Sequence, residues 1–436
     1  MQHLRDAQRL RLAGPSPRAR AARVSMAARR EPCSTPFMHR SLPLHGESPG
    51  VATPPRWPLA RKGFRPFFLL GALGASALIP MWLLVLGGVV RPSAYVDPVT
   101  WHAHEMLFGF ATAVIAGFLL TAVGNWTGRE TIIGPKLLAL SGVWLAGRVA
   151  MMASVPGAGI HARGIIAAVD LVFMPLLAVT IGRPLLATRN RRNFVMLGVL
   201  AALFACNVVM HLEALGLAAA GAGRHAALVA LDVVIFLCLV IGGRVIPMFT
   251  RNGTGRGGLA SPPWLDVAVV VSMVALVLAD AILPASTLAF ALAGVVGLVS
   301  LARTAFWGTR HTLRHPLLWI LHAGALWISA GMLLRAAPLA GVSISGSSAA
   351  HALTAGAIGA LTIGMMARVA LGHTGRPLTP PRAMTVAFVC VTLAALVRVA
   401  GVSLVVSGAL WATAFAIYVV AYVPVLFGAR VDGKSG

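Results

Sequence analysis

The sequence predicts an all-α, polytopic membrane protein of about 12 transmembrane helices, and three observations carry that prediction. The composition is 58% hydrophobic and only 11% charged, with a mean hydropathy of +0.83, whereas soluble domains carry roughly 25% charged residues. Apolar runs of about 20 residues, enough to cross a hydrocarbon core of ~30 Å, recur from Phe67 to the end of the chain. Nothing alternates in the two-residue rhythm of a barrel strand, so each span is expected to be a helix that satisfies its own backbone groups.

The spans are expected near 67–90, 102–123, 134–153, 164–187, 194–220, 225–248, 264–282, 285–306, 316–337, 347–371, 382–404 and 405–428, the last two being hard to divide. Ahead of them, residues 1–62 form a basic arm with twelve Arg or Lys against three acids, too polar to bury a core. It reads as a disordered segment lying on anionic lipid, as an Arg-rich targeting sequence, or as a leader before a true start at Met26 or Met38. No signal peptide precedes the first span, which is therefore expected to serve as an uncleaved anchor. Residues 63–430 read as one transmembrane domain and 431–436 as a cytoplasmic tail.

Charge assigns the sides. With the N-terminus inside, the inner connections hold Arg129 and Lys136; Arg183, Arg189, Arg191 and Arg192; Arg251 and Arg256; Arg310 and Arg314; Arg376 and Arg382; and the tail residues Arg430 and Lys434. Outer connections hold about one each, such as Arg91, Arg163 and Arg224. This is the positive-inside asymmetry, with both termini cytoplasmic. The formal charge of +24 accordingly needs no nucleic acid partner. The four cysteines, Cys33, Cys206, Cys238 and Cys390, show no metal or disulfide spacing and read as small hydrophobes.

That orientation gives depth to the polar residues. His102, His104, His211, His225 and His351 share one outer layer with Glu105, Asp170, Glu213, Asp232, Arg148, Arg335 and Arg398. Ionisable groups in a span cost ~2.5–3.5 kcal/mol each on insertion scales, so a layer of them marks a site or a paired network. A thinner inner set holds His322, His373, Arg244 and Arg368.

Repeats sharpen the layer. Thr-Gly-Arg recurs at 127–129, 254–256 and 374–376, just past the inner ends of the second, sixth and tenth spans. His104 to Arg129 and His351 to Arg376 have the same spacing, with Gly109 matching Gly356 and Ala113 matching Ala360. At 1.5 Å per residue this register runs ~37 Å, one membrane face to the other. The sequence thus predicts three four-helix repeats in the same sense, unlike the opposed halves of inverted-repeat transporters.

Imidazoles at equal depth on two such helices suit the axial ligation of one haem, so His104 and His351 are expected to bind it from either side. His102 turns about 200° from His104 on a regular helix and needs another site. Asn207 and His211 share a face, as do His225 and Asp232; with His102, they are candidates for a second metal, copper being plausible beside Met106 and Met210. Glu105, Arg148, Asp170 and Asp232 are assigned to a proton or propionate network. The structural alternatives are an interfacial His225, a plain Arg148–Asp170 ion pair, a Glu105 placed by the helix dipole, and Thr-Gly-Arg as a helix stop.

Four stretches resemble a known family: KGFRPFFLLGALGA from Lys62, WHAHEMLFGFATAVIAGFLLTAVGNWTGR from Trp101, GGRVIPMFTRN from Gly242 and HALTAGAIGALTIGMMARVALGHTGR from His351. They are similar to the NnrS family of haem- and copper-containing membrane proteins, over nearly everything after residue 60. The resemblance implies a bacterial inner-membrane protein with haem and copper, associated with nitric oxide metabolism, denitrification and resistance to nitrosative stress, whose partners are the bilayer and nitric oxide or a derived species. It does not say which histidine holds which metal.

The three four-helix repeats also resemble the large subunit of haem-copper oxidases and nitric oxide reductases, where the second and tenth spans hold the low-spin haem. Here the seventh span has no histidine, and His351 and His373 stand roughly 33 Å apart along one helix. The three-histidine copper site of that group is not reproduced. A haem-copper protein that lowers nitric oxide toxicity is therefore the leading expectation, with a nitric oxide reductase-like enzyme and a non-haem proton-coupled or metal-ion transporter as the alternatives.

Overall fold

The computed structural model describes residues 57–90, 95–153 and 159–433. The basic arm up to residue 56, with Met26, Met38 and Cys33, lies outside the described residues, as do Arg91 and Lys434. Among those described there are no strands. Twelve long helices follow the twelve expected spans: α1 (Phe64–Leu86), α2 (Pro98–Thr127), α3 (Pro135–Met152), α4 (Ile160–Ala187), α5 (Val195–Ala214) and α6 (Ala222–Thr254). The second half comprises α7 (Pro263–Ile282), α8 (Thr287–Ala305), α9 (Pro316–Ala336), α10 (Gly346–His373), α11 (Arg382–Val399) and α12 (Leu404–Phe427).

Eleven of these are long and apolar enough to cross a membrane, which makes this a multi-pass membrane protein. The exception is α3, whose 18 residues include Lys136 and Arg148. The two last spans, merged in hydropathy, are divided at Gly401, which takes a φ of 69° that a side chain would resist.

Burial singles out the second helix of each group of four. Of the apolar stretch, 89% is buried in α2 and 72% in α6 and in α10, against 17% in α1 and 33% in α11 and α12. These three helices form an inner layer, while α1, α11 and α12 carry much of the exposed apolar surface. The chain closes on itself, α1 packing against both α2 and α12. Glycine permits the close approaches: a Cβ on Gly356 of α10 would stand 2.5 Å from Cδ2 of Trp327 on α9.

The repeated register is visible in the backbone. A seven-residue π-helical stretch begins immediately after His104 (Glu105–Ala111) and another immediately after His351 (Ala352–Ile358). Such wide turns are rare and concentrate at functional sites. At the opposite end, Thr127, Thr254 and Thr374 each donate Oγ1 to the carbonyl four residues back, at 2.8, 2.7 and 2.7 Å. Gly128, Gly255 and Gly375 follow with φ of 64°, 68° and 73°. Thr-Gly-Arg is thus a thrice-used helix stop.

Candidate functional site

The site begins with how α2 starts. Asp97 caps the helix, its Oδ1 accepting from the backbone N–H of Val99 at 3.0 Å and of Thr100 at 3.1 Å, and Pro98 supplies the first residue. Burial raises the Asp97 carboxyl, but hydrogen bonds from Thr100 and Val99 and the Arg224 guanidinium outweigh it and hold the group below its ordinary value. With the start of the helix fixed, His102 and His104 must leave it on different sides.

His102 lines a cavity of about 390 Å³ at the histidine end of the bundle. Its ring stacks on Trp82 of α1, with centroids 4.6 Å apart and planes 9° from parallel. His351 lines the same cavity, with Met106 and Phe110 of α2, Met210 of α5, Leu231 of α6 and Trp411 of α12. Its Nδ1 lies 2.7 Å from the Ser347 carbonyl, which fixes the proton on Nδ1 and leaves Nε2 with the lone pair. The walls are otherwise apolar apart from Arg224, Arg398, Ser347, Ser407, Thr100 and Thr354. Arg398 donates Nη2 to Ser347 Oγ at 2.8 Å.

His104 points elsewhere and does not line the cavity. It is 1% exposed, with Nδ1 3.1 Å from Glu105 Oε1 and Nε2 2.9 Å from Asn207 Oδ1 and 3.2 Å from Asp170 Oδ2. Arg148 donates Nη1 to Glu105 Oε1 at 2.8 Å and Nη2 to Asp170 Oδ1. Asp170 Oδ2 also accepts from Asn207 Nδ2 at 2.8 Å and meets His211 Nε2 at 3.0 Å. The Tyr95 hydroxyl closes the chain, 2.7 Å from His211 Nδ1. One buried network therefore joins His104, Glu105, Arg148, Asp170 and His211, all five singled out in the sequence.

His225 and Asp232 are not brought together as the spacing predicted. His225 Nε2 donates to the Asp280 carbonyl at 2.6 Å, which turns that nitrogen towards α7 and away from Asp232. Asp232 instead receives Arg335 Nη1 at 2.9 and 3.1 Å, and Arg335 Nη2 reaches the Asp280 carboxylate. Sequence reasoning missed Trp82, Tyr95 and Asp280. Of these, only Tyr95 carried a signal, as one of three tyrosines in the chain and next to a capped helix start.

Comparison with known proteins adds one result to this geometry. No curated protein matches the chain. A family model described as NnrS protein matches residues 58–430, which takes in all twelve helices and every residue of both clusters just described. The chain therefore belongs to the NnrS family.

Proposed function

We propose that this protein is a haem-binding membrane protein of the nitric oxide response, with His102 and His351 as the axial ligand pair. Membership in the NnrS family supports the nitric oxide response, and the cavity supports the haem. The observation that carries the reading is the pairing of two available imidazoles on one apolar chamber. His351 is held by its Nδ1 bond to Ser347 with Nε2 free to ligate, and His102 has no hydrogen-bond partner among the described residues, only the Trp82 ring behind it. The volume lies within the roughly 300–1,000 Å³ of ordinary ligand sites.

The remaining wall chemistry fits a tetrapyrrole. Met106, Phe110, Leu107, Ile79, Leu83 and Trp411 offer apolar surface for a macrocycle, and Arg224 and Arg398 supply guanidinium groups for its two carboxylates. When bound, haem iron supplies one-electron chemistry and affinity for nitric oxide. The chain's own contributions are to orient the ligands, to keep the chamber dry, and to hold the anionic edge. His104, the repeat-equivalent of His351, is not the partner in this reading, because both of its ring nitrogens are already engaged in the buried network.

The test is a low-temperature electron paramagnetic resonance spectrum of the oxidised protein purified in detergent. Bis-imidazole ligation gives a low-spin ferric signal accompanying a Soret band. A purified, folded protein with no Soret band, or with only high-spin haem, would sink the proposal.

A further inference from the structure

Among the described residues four arginines are buried, and three of them have acceptors. Arg65 donates Nη1 to the Leu426 and Gly428 carbonyls at 2.7 and 2.8 Å. Arg148 meets Glu105 and Asp170, and Arg303 donates Nε to Asp266 at 2.7 Å and Nη1 to the Leu239 carbonyl at 3.0 Å. Arg368 of α10, 8% exposed, differs from all three. Among the described residues nothing accepts a hydrogen bond from it and no acid pairs with it; its one contact of this kind is the Phe249 ring of α6, whose centroid lies 4.0 Å from Cζ.

An aromatic face lowers the cost of a buried cation. It gives no acceptor to the five N–H donors that spread in the guanidinium plane. A guanidinium also stays charged where a buried lysine would give up its proton, so Arg368 needs a counter-charge. The acids at that end of the bundle are already taken: Glu130 by Lys62, Asp266 by Arg303 and Asp432 by Arg430.

Position decides what can reach it. Phe249 lies five residues before the end of α6 at Thr254, and Arg368 five residues before the end of α10 at His373, ~7.5 Å along the axis in each case. Arg368 therefore sits at the Thr-Gly-Arg end of the bundle, away from the histidine cavity, which it does not line. An arginine at that depth extends its head toward the polar headgroup layer. Its nitrogens are not sealed as Nε of Arg65 and Nε of Arg148 are, so a group arriving from that layer can meet them.

We infer that Arg368 seats an oxyanion of the phosphate type, gripped by the guanidinium edge while Phe249 backs its face. The planar fork of N–H donors matches two oxygens of one phosphate. The group comes either from an anionic phospholipid whose headgroup reaches in beside α6 and α10, or from inorganic phosphate in the adjoining water. The recognition chemistry is the same for both.

Thermal unfolding of the full-length protein, delipidated in a maltoside detergent and phosphate-free buffer, tests the inference. Inorganic phosphate and dihexanoyl phosphatidylglycerol are titrated separately, with chloride at matched ionic strength as the control. The unfolding midpoint of the wild type should rise and saturate with at least one of the two probes and not with chloride. Saturation by the lipid alone identifies a headgroup site, and saturation by both identifies an open phosphate site. Arg368→Gln should weaken the response about tenfold or more, and without either probe it should be no less stable than the wild type, because it removes an uncompensated charge. Arg368→Lys, which keeps the charge and loses the fork, should bind more weakly than the wild type, and it carries the comparison if Arg368→Gln fails to fold. If neither probe stabilises the wild type beyond chloride, or if both variants respond as the wild type does, Arg368 holds no oxyanion and the inference is wrong.

Discussion

Removing Arg148 while keeping its volume, as in Arg148→Met, probes the buried network where its balance is finest. The Arg148 side chain is 9% exposed and its two carboxylate partners are each 1% exposed. Asp170 would keep donors from His104, His211 and Asn207. Glu105 would keep only His104, with its Oε2 already unpartnered. The uncompensated charge therefore falls on Glu105, and breaking one buried pair costs about 3–5 kcal/mol. Adding Glu105→Gln to Arg148→Met removes that charge and should recover most of the loss. The assay is reversible unfolding of chelator-treated protein in mixed micelles of mild and denaturing detergent. A loss below about 1 kcal/mol in Arg148→Met, or no recovery in the double variant, would refute a desolvated network and imply that water reaches the carboxylates.

Four further outcomes follow from particular contacts. Gly356→Ala drives a Cβ to 2.5–2.9 Å from the Trp327 ring and should cost about 1–3 kcal/mol through overpacking, measured by the same unfolding assay. Gly109→Ala brings a Cβ to 3.1 Å from Arg148 Nη1, a looser approach than that at Gly356, and should cost less. Trp82→Ala removes the ring stacked on His102 and should speed haem loss to an apo-globin acceptor, whereas Trp82→Phe should retain most of the native rate. Asp97→Ala should cost about 1 kcal/mol as a lost N-cap. Because the folded Asp97 carboxyl lies below its ordinary value, the wild-type advantage should hold above pH ~3.9 and fade as pH falls through the lower folded value. An advantage that grows on acidification would contradict the cap.

Most of the fold was legible because apolar length and helix stops are local properties. Thr-Gly-Arg encodes its own termination, a threonine bonded four residues back and a glycine at positive φ. The register between positions 104–129 and 351–376 also held at the backbone level, down to matched π-helical stretches. The sequence was less informative about facing. Repeat symmetry equates His104 with His351, but equivalence in register does not put two side chains in one chamber. Which way each points depends on helix rotation and on neighbours far along the chain, namely Trp82 behind His102 and Asn207 and Asp170 around His104. The Arg148–Asp170 pair was readable from depth alone, whereas Asp280 was not, since its partner Arg335 lies 55 residues away on another helix. His225 and Asp232 align on α6, yet the stronger claims of Asp280 and Arg335 separate them.

The central claim is that the cavity histidines, and not the repeat-related pair, hold the haem. Haem per chain in purified His102→Ala, His104→Ala and His351→Ala variants tests it most directly, by pyridine haemochrome assay against total protein. The account predicts that His102→Ala and His351→Ala each lose the haem or its low-spin spectrum, while folded His104→Ala keeps both. Loss in His104→Ala and His351→Ala, with haem retained in His102→Ala, would contradict it.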